Sequence, residues 1–178
     1  MNVSAEHRRL AVLAGIDIDN PRLRAKLDAV SARTAQRLGQ PISLVSMVLD
    51  GAQFFAGSFG LEGWLAELQG TPIEWSFCAN AVRSGQPYVV PDAEADELQA
   101  TNPLVYIDGV RGYAGVPIVV DGEILGAHCV LAHSPAQFSD ADLDELRRSA
   151  EEVAALLAAY RFPGPSPGPD TGTAVTAP

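Results

Sequence analysis

Two cysteines are the residues of this chain best suited to covalent or redox chemistry. Cys78 follows Ser76, which reads as the N-cap of a short helix over Phe77 to Arg83. In a first helical turn a thiol sits among unpaired backbone N–H groups that favour the thiolate, the form that attacks oxidants and electrophiles. Glu74 opposes thiolate formation, and no Lys or His lies close by in sequence, so a compact buried apolar side chain is the competing reading. Cys129 stands far along the chain, and sequence leaves open whether the two thiols meet as a redox pair. Together with His128 and His133, Cys129 also raises the question of a metal. On an extended strand Cys129 and His133 share a face but lie ~13 Å apart, while His128 points the other way. An ion draws its ligands to within ~2.3 Å, so no metal site is assigned.

The remaining candidates are polar or aromatic. Asp108 and Arg111 flank a glycine before a strand, placed either to orient a polar ligand or to form an exposed ion pair. Asp92, Glu94, Asp96 and Glu97 crowd one surface turn and read as solvated charge. Phe54, Phe55, Trp64, Trp75, Phe77, Tyr106 and Tyr113 gather in the middle of the chain, where core packing accounts for most and a minority would touch a ligand. The candidate pocket set is therefore Trp75, Phe77, Cys78, Val82, Tyr106, Asp108, Arg111 and Tyr113, and the redox set is Cys78 and Cys129. No general acid or activated nucleophile is visible beyond these, and the chain reads as non-enzymatic.

Local patterns predict the elements that hold these residues. Leu10, Val12, Leu13 and Ile16 fit a short amphipathic helix. Asn20-Pro21 is a helix start, and Leu23, Leu27, Val30, Thr34 and Leu38 share one face of the helix that follows, closed by Gly39, Gln40 and Pro41. Ile42–Leu49 and Ala52–Phe59 read as a hairpin across Asp50-Gly51, expected to take the positive φ angles of a tight turn. A short helix is expected around Leu61 to Leu68, a short strand over Tyr88 to Val90 and a surface turn over Asp92 to Gln99. Arg111–Val120 and Glu123–Ala132 form a second hairpin across Asp121-Gly122. Ser139 and Asp142 begin a long helix reaching about Tyr160. Leu143, Leu146, Val153 and Leu157 recur along it in steps of three and four, which predicts a dimer seam. Two antiparallel hairpins among segregated helices make an α+β domain with one mainly antiparallel sheet.

Composition narrows the partners. With 12 basic and 22 acidic residues the formal charge is -10, which disfavours phosphate backbones and anionic membrane surfaces. No apolar run approaches the ~20 residues of a membrane span, and no export signal is visible, so a reducing cytoplasm is expected. Residues 1–19 read as a helical extension, 20–162 as the domain, and 163–178, rich in Pro and Gly, as a disordered tail.

The run SFCANAVRSGQPYVVPDAEAD, followed by NPLVYIDGVRGYAGVPIVVDGEILGAHCVLAHSPAQFSDADLDEL, resembles the central and C-terminal half of a GAF domain. Tyr113-Ala114-Gly115-Val116-Pro117, Asp121-Gly122 and Ile124-Leu125-Gly126 carry the likeness most specifically. The resemblance implies a PAS-like fold with about six antiparallel strands, helices on one face and a ligand pocket on the other. It implies a sensor of a small molecule or partner signalling protein, homodimeric through its terminal helices, with the cofactor unspecified. Bilin-binding relatives have His two positions after their attachment cysteine, where this chain has Asn80. The cyclic-nucleotide Asn-Lys signature and the cysteine arrangement of methionine sulfoxide reductases are also missing. A thiol redox protein using Cys78 and a haem- or bilin-binding sensor are the alternatives.

Overall fold

Strand β5 (Gly112–Val120) turns directly into β6 (Glu123–Ala132), and the two pair antiparallel. Asp121 and Gly122 take φ of 53° and 78°, the left-handed pair that lets a two-residue loop follow the twist of its strands. Strands β1 (Ile42–Val48) and β2 (Ala52–Phe59) form the other hairpin. Its turn corrects the expectation from sequence: neither Asp50 nor Gly51 has positive φ. That loop is held by tertiary partners instead, with Arg9 on the Asp50 carboxylate and the Ile73 N–H donating to the Gly51 carbonyl. Two short strands that add little local signal, β3 (Gly70–Pro72) and β4 (Tyr88–Val90), complete a six-stranded sheet in the order β3-β2-β1-β6-β5-β4. Every neighbouring pair is antiparallel. The computed structural model describes residues 3–163, so the tail predicted beyond them lies outside the described residues.

The alternation of side chains along the central strands divides the interior in two. Val45, Val116, Ile118 and Val130 face helices α2 (Pro21–Leu38) and α6 (Asp140–Ala159), whose Leu23, Leu27, Val30, Leu146, Val153 and Leu157 close one core. At one end α1 (Val3–Ala14) adds Leu13. Each such aliphatic side chain, buried from water, contributes ~1.5–3 kcal/mol before the entropy of ordering is set against it. Both long helices are capped as expected: Asn20 Oδ1 accepts from the Arg22 N–H, and Ser139 with Asp142 forms a reciprocal capping box. The α6 stripe requires a correction. Leu146, Val153 and Leu157 are fully buried against the chain's own sheet, and Leu143 is partly buried on the same cluster. A stripe of that period covers a sheet face as well as it forms a coiled coil, and the sheet takes it here.

On the opposite face Leu44, Tyr113, Cys129 and Leu131 meet a roof of short segments. These are α3 (Gly63–Leu68), a 3-10 turn (Ile73–Trp75), α4 (Cys78–Ser84) and α5 (Pro103–Tyr106). The helix α5 was not anticipated, although Asn102-Pro103 repeats the Asn20-Pro21 signature, with Asn102 Oδ1 accepting from the Leu104 N–H. At the far side of the molecule the chain ends of the helical layer are tied together. Asp17 N–H donates to the Tyr160 carbonyl, Phe162 N–H to that of Gly15, and Ile16 bridges Arg161.

Candidate functional site

Between the sheet and its roof lies a cavity with an empty volume of about 480 Å³, counting the part open to solvent. Alternate residues of β1 and β6 supply its floor: Ile42, Leu44, Cys129 and Leu131, with Phe55 from β2 and Tyr113 from β5. Leu61 and Leu65 come from the α3 segment, Phe77 and Cys78 from the start of α4, and Leu104, Asp108 and Val110 from α5 and the loop after it. The wall is overwhelmingly apolar with a few convergent polar atoms, the usual make-up of a small-molecule site. His133 and Asp108 stand where this cavity meets a wider open groove alongside Trp64 and Glu62.

The two cysteines meet here. Cys78 Sγ and Cys129 Sγ lie within hydrogen-bonding distance at 3.6 Å, and the Tyr113 hydroxyl donates to Cys78 Sγ at 3.3 Å. Both thiols are free and buried. The helix starts one residue later than predicted, with Phe77 at the N-cap position, but Ser76 Oγ still accepts from the Ala79 N–H at 3.0 Å and fixes where Cys78 enters the cavity. Glycine at 115 makes room for the arrangement, since a Cβ there would lie 2.1 Å from the Tyr113 hydroxyl oxygen and 3.1 Å from Cys129 Cβ. Electrostatics separates the two thiols. A hydrogen bond from the Cys129 thiol pulls the Cys78 pKa below its ordinary value; burial opposes this, while Tyr113 and Ser46 add to it. Burial pushes Cys129 and Tyr113 up, so any thiolate of the pair resides on Cys78.

A second polar feature is Asp108. Trp64 Nε1 donates to Asp108 Oδ1 at 2.7 Å, and Trp64 packs edge-on to Trp75 with ring centroids 6.1 Å apart. Gln53, which also lines the cavity, is held by three neighbours: its Oε1 accepts from Ser46 and Ser76, and its Nε2 donates to Thr71.

Of the pocket residues named from sequence, Phe77, Cys78, Asp108 and Tyr113 come together on the cavity wall. Four do not. Tyr106 is 67% exposed, because α5 turns it outward while Leu104 and Val105 face in. Arg111 pairs with Asp92 through two hydrogen bonds and with Glu94, not with Asp108, and so stays outside the cavity. Trp75 stacks on Trp64 in the roof. Val82 is buried beside a different concavity, shared with Arg9, Asp50 and Glu74. The strand residues Ile42, Leu44, Phe55 and Leu131 were missed as pocket lining, although their period-two pattern with Cys129 carried the signal.

His128 is fully buried on the helical side, opposite Cys129. Its Nδ1 lies 3.0 Å from the Leu44 carbonyl and its Nε2 2.9 Å from Thr34 Oγ1. A carbonyl only accepts, so the proton is assigned to Nδ1, and Nε2 accepts from the Thr34 hydroxyl. Desolvation lowers the His128 pKa to about 4. Among the described residues no group of three His, Cys, Asp or Glu is placed to hold a metal ion.

A curled antiparallel sheet, terminal helices on one face and a roofed apolar cavity on the other define the class of protein. The GAF domain family model matches residues 22–157, and the chain belongs to that family. The family is typically sensory or ligand-binding, and the named relatives include enzymes. The chain is 29% identical over 161 residues, 88% of its length, to a cyclic di-GMP phosphodiesterase of Pseudomonas aeruginosa, of which it spans 26%. It is similar in structure to the GAF domain of a phosphoenolpyruvate-protein phosphotransferase from Coxiella burnetii, with TM-score 0.66, 19% identity, and 85% of this chain and 93% of that one covered. A type II free methionine-R-sulfoxide reductase from Thermoplasma acidophilum gives TM-score 0.64 at 15% identity, over 79% of this chain and 95% of that one. At these identities the structural likeness establishes the fold. No helix among the described residues is long and apolar enough to cross a membrane.

Proposed function

We propose that this GAF domain is a non-enzymatic cytoplasmic sensor that binds a small molecule in the cavity between the sheet and its roof. The supporting observation is the cavity: mainly apolar, walled by the central strands, and roofed by short segments that can repack at low cost. Binding would favour the conformation in which α4, α5 and the α3 segment close on the ligand. The sheet then transmits that change to α2 and α6, whose outer ends are tied through Asp17 and Tyr160. A partner signalling protein or a second copy of the chain reads the change on the exposed helical surface. The likeness to a quarter of a phosphodiesterase fits a regulatory segment working alongside an output enzyme. Native mass spectrometry of protein purified from its own host tests this: a retained small molecule, lost when Leu44→Trp fills the cavity, supports it. An empty protein that gains no stability from any cytosolic small-molecule extract counts against it.

A thiol redox sensor is the second reading, favoured by the 3.6 Å between Cys78 and Cys129. The Cys78 thiolate would attack a peroxide, giving the sulfenic acid and releasing water after proton uptake. Cys129 would then displace a second water to form the disulfide, two thiols being oxidised as one peroxide is reduced. The sulfurs must close to ~2.05 Å, a small movement of α4. Peroxide treatment of the folded protein should remove two hydrogens by intact mass, in wild type and not in Cys129→Ser. Unchanged mass under conditions that oxidise exposed thiols would eliminate this reading.

A further inference from the structure

Asp108 is the acid on the cavity wall, placed at the junction with the outer groove. One carboxylate oxygen is held by Trp64, whereas Oδ2 is buried and has no hydrogen-bond partner. Buried acceptors without donors are rare because each gives up its hydration with nothing in return. The other polar side chains on this wall have partners of their own: Gln53 bonds three neighbours, Tyr113 donates to Cys78, and His133 at the mouth has Nδ1 3.4 Å from the Gly109 carbonyl. Among the described residues no Lys or Arg lines either the cavity or the groove. Asp108 Oδ2 is thus an unpartnered carboxylate acceptor, set against a mainly apolar wall.

We propose that the cavity takes a small protonated amine, its N–H⁺ on Asp108 Oδ2 and its apolar body, aliphatic or a single ring, against Leu44 and Phe55. The inference rests on reading the cavity as the ligand site and narrows the ligand's class. A charge-assisted hydrogen bond satisfies the buried Oδ2 and neutralises the half-buried carboxylate together. The same wall disfavours carboxylates and phosphates, nucleotides and zwitterionic amino acids included, since it offers them no Lys or Arg and places Asp108 beside their charge. The net charge of -10 adds a favourable field for a cation approaching the groove.

The test uses the full chain and three probes of similar shape: 2-phenylethylamine, 2-phenylethanol and phenylalanine, titrated by calorimetry at pH 7. The amine should bind at least ~10-fold more tightly than the alcohol, as a hydrogen bond to a charged group of ~1.5–3 kcal/mol implies, and phenylalanine should not bind. Asp108→Asn, which keeps an acceptor for Trp64, should erase that preference while alcohol binding stays as it was. If alcohol and amine bind equally to wild type, the amine assignment falls and the cavity reading stands. Amine selectivity surviving in Asp108→Asn overturns it as well. Should none of the three bind, the amine assignment is lost, while the cavity reading is decided by the retained ligand sought in native mass spectrometry. The wild-type comparison of amine with alcohol needs no variant and stands even if Asp108→Asn is poorly folded.

Discussion

Cys78 Sγ lies 3.6 Å from Cys129 Sγ, and this contact joins the first turn of α4 to the central strand β6 under the Tyr113 hydroxyl. The roof of the cavity is thus attached to its floor at a point where both are buried.

Room for Tyr113 is the weak point of that contact. Gly115→Ala would set a Cβ 2.1 Å from the Tyr113 hydroxyl oxygen and 2.7 Å from its Cζ, which backbone neighbours cannot easily relieve. The expected cost is ~1–3 kcal/mol of stability. In a Tyr113→Phe background the oxygen is gone and the penalty should shrink, so a double-mutant cycle by urea denaturation should be clearly non-additive. Additive losses would show that the ring does not rest on residue 115.

Stability should depend on the protonation of His128. Its folded pKa of about 4 lies below the ordinary 6.5, so the unfolded chain binds the proton first on acidification. The contribution is fully present above pH ~6.5 and is lost as pH falls through ~4, to a total of ~3 kcal/mol. His128→Gln, measured against wild type by chemical denaturation between those limits, should flatten this part of the profile. Parallel profiles for the two proteins would refute the assignment.

Charging the α6 stripe should unfold the monomer rather than split a dimer. Leu146→Asp and Val153→Asp each bury a carboxylate among fully enclosed aliphatic side chains. Even Leu146→Ala should cost ~2–5 kcal/mol. Circular dichroism should show loss of the cooperative transition. A folded protein of halved mass in light scattering would restore the stripe as an interface.

The two Asp-Gly turns should answer differently to the same substitution. At both Gly51 and Gly122 an added Cβ meets nothing within 4 Å, but only Gly122 has a left-handed backbone, with φ of 78°. Gly122→Ala should therefore cost ~1–2 kcal/mol and Gly51→Ala little or nothing, as read from thermal midpoints. Equal losses would mean that the left-handed angle at Gly122 is not what sets the cost.

Helix starts at Asn20-Pro21 and Ser139, the Asp121-Gly122 turn and the alternating strands were all legible in the sequence. Each is set by residues a few positions apart, through a side chain that caps a nearby N–H or a backbone angle that one residue type tolerates. The α6 stripe was equally legible as a pattern, but its partner was not, since an apolar face does not say what will cover it. Likewise Arg111 had acids both near and far upstream in sequence, and only the fold chose Asp92 over Asp108. The thiol pair and the cavity wall depend on contacts across long separations, 51 residues for Cys78 and Cys129. Such contacts exist only after the strands have taken their order, because sheet pairing and layer packing, rather than local propensity, bring those side chains within reach.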